Sequence, residues 1–104
     1  MIYNLSNAVL VPGKMAEYWD IAQKELHPLY PKLGMKSVGS FHAYTGNMNQ
    51  TYTLYVFNDL AAVQQVREAQ RQSKEYQNVS AKMNALRISM TTTLLEPNPW
   101  SPMK

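Results

Sequence analysis

The chain has 104 residues, no cysteine and a formal net charge of +3, enough for one domain from residue 1 to 104 with no disulfide and no thiolate-bound metal. Its Lys and Arg residues are dispersed rather than gathered in a run, so no nucleic-acid stripe is expected, and Arg67, Arg71 and Lys74 read as a solvated helix face. No apolar run reaches the roughly 18 residues of a membrane span, and no basic-apolar leader opens the chain, so the expectation is a soluble cytoplasmic protein.

Ile2 to Val11 reads as a strand, ended by Pro12-Gly13, because proline cannot donate to a ladder and glycine adopts turn geometry at little cost. Met15, Tyr18, Ala22, Leu26, Leu29 and Leu33 then recur at steps of three and four, one buried helical stripe. Pro28 and Pro31 interrupt it, so a break near His27 is expected, with Gly34 closing the segment. Met35 to Gly46 and Gln50 to Phe57 form two strands joined through Gly46-Asn47-Met48-Asn49-Gln50. Pairing across that turn places Ala43 opposite Tyr52, Phe41 opposite Leu54, His42 opposite Thr53 and Ser40 opposite Tyr55. The Phe41 and Leu54 face is expected to pack on helices, leaving the face of His42, Tyr44 and Tyr55 bare.

Asn58-Asp59 supplies a cap for a helix with Leu60, Val63, Val66 and Ala69 inward. A second start at Ser73, with Tyr76, Val79, Met83 and Leu86 as its stripe, is a further helix or a bent continuation. Arg87 to Leu95, rich in threonine and β-branched residues, reads as the last strand. A Pro-rich extended tail follows over residues 96–104, in which Trp100 is expected to anchor the tail to its own or a partner's surface.

The order βαββαβ is the ferredoxin-like pattern, an α+β fold with a four-stranded antiparallel sheet and its helices on one face. The uncovered face needs a cover, and two copies set sheet to sheet supply it. A homodimer with a barrel-like interior is therefore expected.

The Pro12-Gly13-Lys14 entry to the first helix with Glu17-Tyr18, the Gly46 to Gln50 turn running into Leu54-Tyr55-Val56-Phe57, and the tail Leu95-Glu96-Pro97 to Trp100-Ser101-Pro102 together resemble the NIPSNAP family. The resemblance spans nearly the whole chain. It implies a dimeric α+β barrel, a superfamily that includes cofactor-independent monooxygenases, isomerases and haem-degrading enzymes. Against the family pattern, Ser6 stands where an arginine is common, Thr53 where a histidine is common and Tyr55 where a tryptophan is common. His42, expected opposite Thr53, is then placed to occupy similar space.

His42 is the candidate catalytic base, since imidazole exchanges protons near neutral pH; the other reading is a histidine hydrogen-bonded to Thr53 or Tyr44 inside a packed dimer. Tyr44 and Tyr55 offer flat apolar faces with hydroxyl tips, suited to an aromatic or largely apolar small molecule, or to dimer packing. Asn4, Ser6 and Thr53 complete the expected ligand wall. From the last strand either Thr91 and Thr93 or Met90 and Thr92 close it. Tyr18 and Trp19 read as core and rim, and Met15, Met83 and Met90 as adaptable filler. No metal ligand set, glycine-rich phosphate loop or nucleophile elbow is present, so no cofactor is expected. Two functions remain open: a small-molecule protein with oxygenase or isomerase chemistry on His42, and a non-catalytic homodimeric scaffold.

Overall fold

The computed structural model describes residues 1–104. Strand β1 (Ile2–Leu10) leads into helix α1 (Met15–Ile21), a π-helical turn at Ala22–Leu26, a 3-10 turn at His27–Leu29 and the short helix α2 (Tyr30–Leu33). Strands β2 (Ser37–His42) and β3 (Gln50–Phe57) follow, then helices α3 (Leu60–Gln72) and α4 (Lys74–Asn84) and strand β4 (Arg87–Leu95). The sheet is antiparallel in the order β2-β3-β1-β4. The expected α+β architecture is present, with the helices on one face.

Local chemistry accounts for the breaks. Pro28 and Pro31 carry no amide hydrogen, and the helical ladder changes pitch around them. It widens at Ala22–Leu26, where His27 N donates to Ala22 O, and tightens at His27–Leu29. Gly34, at φ 76°, closes the segment in the left-handed region that suits glycine. The Asp59 carboxylate accepts from Ala62 N at 2.8 Å to start α3. Ser73 is extended and its hydroxyl accepts from Tyr76 N at 3.1 Å, so α3 and α4 are two helices rather than one bent one.

Two expectations about the hairpin are corrected. First, the register lies two residues from the one expected: Phe41 faces Tyr52 rather than Leu54, and His42 faces Thr51 rather than Thr53. Asn47 causes the shift. Its carbonyl accepts from Gln50 N at 3.2 Å and its side chain from Asn49 N at 3.0 Å, folding the return leg on itself, and Ala43 N then donates to Gln50 O at 3.0 Å. Because the shift is even, His42, Thr53 and Tyr55 still share a face.

Second, that face is the one under the helices. Ser6, Ala8 and Leu10 of β1 and Thr51, Tyr55 and Phe57 of β3 are buried there. The uncovered face carries Tyr3, Leu5 and Val9 of β1, Tyr52, Leu54 and Val56 of β3, and Phe41, which is 61% exposed. Both faces of β1 and β3 are apolar, so the Phe41 and Leu54 stripe alone does not identify the helical side. The small side chains Ser6, Ala8 and Thr51 let the helices approach, and the bulky stripe is left outside. Trp100 is 80% exposed and does not anchor the tail to its own protomer.

Leu10, fully buried, lies at the centre of a core that includes Leu29, Leu33, Val63, Val79 and Met83. No helix is long and apolar enough to cross a membrane.

Candidate functional site

Two adjoining cavities lie between the sheet and the helices, of about 60 Å³ and about 170 Å³. Ser6, Leu26, Tyr55, Met83, Arg87 and Met90 are walls common to both, and the two adjoining cavities are together called the chamber. The smaller half adjoins an open cleft of about 530 Å³ through Trp19, His27, Ser40 and Thr51. The larger half adjoins another, of about 590 Å³ between α3 and α4, through Arg67, Gln70, Tyr76 and Ser80. No carboxylate lines the chamber or either cleft.

Arg87 is the charged centre of the chamber, and a β-bulge puts it there. Val9 pairs with Ser89 while Leu10 pairs with Arg87, so Ile88 is the unpaired residue and is exposed. Unbroken alternation would have set Ile88 opposite Leu10 and turned Arg87 away; the extra residue brings the guanidinium to the helical side instead. Arg87 Nε donates to the Tyr18 hydroxyl at 3.0 Å and Nη1 to Asn84 Oδ1 at 2.7 Å, and the guanidinium lies 5.5 Å from the centre of the Tyr18 ring. Neither Arg87 nor Arg67 joins any of the chain's ion pairs.

Tyr30, Tyr55 and Tyr76 are held as neutral phenols. Tyr55 and Tyr30 share a hydrogen bond of 2.8 Å between hydroxyls, with their rings edge to face. Burial pushes the Tyr55 phenol up from its ordinary value, and the neighbouring Tyr30 adds to the shift. Burial also raises Tyr30, with the bond to Tyr55 working the other way. Tyr76 is raised by burial as well, and the positive charge of Arg87 offsets part of this. These groups offer O–H donors to an oxygen-bearing ligand and do not act as bases. Asn4 contributes a buried Oδ1 that has no hydrogen-bond partner, the kind of polar atom that is costly to leave unpaired.

Of the residues expected to form the ligand wall, Asn4 and Ser6 of β1 and Thr53 and Tyr55 of β3 line the chamber. From β4 the phase left open in the sequence resolves to Met90 and Thr92, opposite Ala8 and Ser6. His42 is not with them. It is exposed in the outer cleft, its ring 5.0 Å from that of Trp19, and Thr51 Oγ1 donates to the Phe41 carbonyl rather than to the imidazole. Tyr44 lies in the connection beyond β2, 88% exposed, and lines none of these spaces. Asn4, Ser6, Thr53 and Tyr55 thus line a space within a single chain, where the ligand wall was expected between two sheets. Arg87, Tyr30 and Tyr76, with Arg67, Gln70 and Ser80 of α3 and α4, are chamber residues outside the set expected from the sequence, and Arg67 is not simply the solvated surface it was expected to be. The helical stripes mark Tyr76 as inward, but nothing in the sequence of β4 announces its bulge. No group of three His, Cys, Asp or Glu residues is arranged to hold a metal ion.

A sequence model of the NIPSNAP family matches residues 3–102, and the chain belongs to that family. A NIPSNAP family protein from Agrobacterium tumefaciens has the same fold at TM-score 0.90 and 22% identity, over 99% of this chain and 98% of that one. An uncharacterized NIPSNAP domain protein from Burkholderia xenovorans superposes at TM-score 0.90 and 17% identity, over 98% of this chain and 99% of that one. An antibiotic biosynthesis monooxygenase is similar at TM-score 0.72 and 11% identity, over 95% of this chain and 100% of that one. No curated protein matches the chain in sequence.

Proposed function

We propose that this NIPSNAP-family chain binds a compact, largely apolar or aromatic molecule in the chamber between its sheet and helices, and works as a homodimer with the uncovered sheet faces together. One observation carries the binding reading: a guanidinium free of any carboxylate and a partnerless amide oxygen, Arg87 and Asn4, border the same small cavity. Buried polar groups are ordinarily satisfied, so a ligand hydroxyl donating to Asn4 Oδ1 fits this wall, and Arg87, already bonded to Tyr18 and Asn84, keeps further N–H donors for a ligand oxygen. The dimer rests on the apolar row of Tyr52, Leu54 and Val56 beside Tyr3 and Leu5, an uncovered surface of the kind that marks interaction sites.

The chemistry that suits this wall is proton transfer at an activated carbon or a phenol. Arg87 and the neutral Tyr55 hydroxyl hold the developing oxyanion. His42, at the outer cleft, is the base for a substrate that reaches from the chamber to the Trp19 ring. Protonation of the resulting carbanion at a second carbon is isomerisation; with dioxygen as the oxidant it forms a C–O bond to give a peroxide, which takes up a proton and loses water across the C–H and O–O bonds to leave a carbonyl, an oxygenation of the class printed for the fold relative named a monooxygenase. The second reading, a non-catalytic homodimeric scaffold, is favoured by the exposure of His42.

Phenol is the neutral probe for the binding reading. Titrated into 15N-labelled protein, it is expected to shift the amides of Asn4, Ser6 and Tyr55 and to saturate. Ser6→Leu, which fills the chamber from a residue 5% exposed, is expected to abolish those shifts while the circular dichroism stays unchanged. Equal binding to this variant overturns the chamber as the ligand site. For the catalytic part, wild-type turnover by His42→Ala removes the imidazole from the mechanism.

A further inference from the structure

We propose that the cleft between α3 and α4 recognises a carboxylate, so that the chamber's ligand is an aromatic or short-chain carboxylic acid that enters between these helices; this rests on the chamber being the ligand site. The cleft, about 590 Å³, takes Arg67, Gln70 and Arg71 from α3 and Tyr76, Ser80 and Asn84 from α4. These are donors or neutral amides, with no acid among them. Positions 67, 70 and 71 fall on one face of α3, and 76, 80 and 84 on one face of α4, at the three- and four-residue spacing of helical neighbours.

The two arginines of α3 are not equivalent. Arg71 is held by Glu68 at 3.1 Å, and its carbonyl accepts from the Gln77 side chain. Arg67 is free of any carboxylate and lines both the cleft and the inner cavity. Behind it stands Arg87, also without a carboxylate, in the inner cavity and fixed by Asn84 and Tyr18. Two unneutralised guanidiniums therefore border one cavity. Arg67 is exposed and Arg87 half-buried, and both keep N–H donors that no carboxylate takes, so an anion at this border can accept charge-assisted hydrogen bonds from each.

The remaining wall limits what the anion is attached to. Leu26, Met35, Met83 and Met90 form the apolar side of the inner cavity, which suits an aromatic ring or short alkyl body. Methionine adapts its shape to such a body at little cost. The outer face of α3, which the sequence alone presents as solvated surface, becomes in this arrangement the entrance to the site.

Benzoate and its neutral isostere benzamide separate this inference from the chamber reading. Titrated into the 15N-labelled full chain, benzoate is expected to shift the Arg87 Nε–H and the Gln70 and Ser80 amides, and to bind at least about tenfold more tightly than benzamide. Arg67→Gln, at an exposed helix position, is expected to remove most of that preference, and Lys74→Gln, which removes an exposed cation at the start of α4 outside the cleft, to leave it. Equal affinity for the two probes at the chamber overturns the carboxylate assignment and leaves the chamber standing. An unchanged preference in Arg67→Gln overturns it as well. Failure of both probes to shift any chamber residue overturns the inference together with the reading beneath it.

Discussion

Tyr55 shows how a single side chain links the core to the site. Its ring is buried, and its hydroxyl is shared with Tyr30 at 2.8 Å. Tyr55→Phe leaves the Tyr30 hydroxyl without that partner in a buried setting, a cost of about 1–3 kcal/mol; urea unfolding followed by circular dichroism measures it. The same group sets an alkaline limit. Burial raises its folded phenol above the ordinary tyrosine range, so in alkaline solution the folded state holds a proton that the unfolded state releases. Its contribution is complete below about pH 10 and falls above it by roughly 1.4 kcal/mol per pH unit for this one tyrosine. Denaturant midpoints measured from pH 8 to 11 should be level and then decline, and the decline should be shallower in Tyr55→Phe. Asn4, Ser6, Thr53 and Tyr55 were legible because even steps along paired strands keep side chains on one face. His42 and Tyr44 lie outside the chamber for a different reason: β2 ends at His42, so alternation has no meaning at Tyr44, and His42, beside the Trp19 ring of α1, is left exposed in the outer cleft.

At the scale of elements, the caps were legible and the irregularities were not. Asp59 and Ser73 read as helix starts in the sequence, and each accepts from the backbone amide three residues on. Asp59→Ala and Ser73→Ala are each expected to lower stability by about 1 kcal/mol, measured by thermal or urea unfolding. Loss of the Ser73 cap should also disturb the amide signals of Tyr76 and Ser80, because it frees the first turn of α4 beside the chamber. The π-turn at Ala22–Leu26 and the bulge at Ile88 have no comparable signature. Pro28 announces an interruption but not its form, and a bulge arises from how two strands settle against one another. Arg87 was hidden for that reason: strict alternation sends it to the wrong face. The hairpin register was missed because β2 stops at His42, short of the expected Gly46, and the connection turned by Asn47 up to Gln50 is longer than the glycine spacing suggests.

The order of elements gave the ferredoxin-like architecture, since that order with right-handed crossovers leaves few alternatives. Which face the helices cover was not legible, because Ala8, Leu10 and Phe57 on one side and Leu5, Leu54 and Val56 on the other make β1 and β3 apolar twice over. That double burial demand is the physical case for a homodimer. Leu54→Lys places a charge in the uncovered row without touching the helical face, and is expected to convert a dimer into a folded monomer by sedimentation velocity. A monomeric wild type at micromolar concentration would remove the dimer from the account.

The same variant provides the decisive measurement, because it separates a chamber inside each protomer from a space between two sheets. Phenol and benzoate are titrated into 15N-labelled wild type and Leu54→Lys. The account predicts shifts at Asn4, Ser6, Tyr55 and Arg87 with affinities unchanged in the monomer. Shifts at Tyr3, Leu5 and Tyr52 that vanish with the dimer would contradict it.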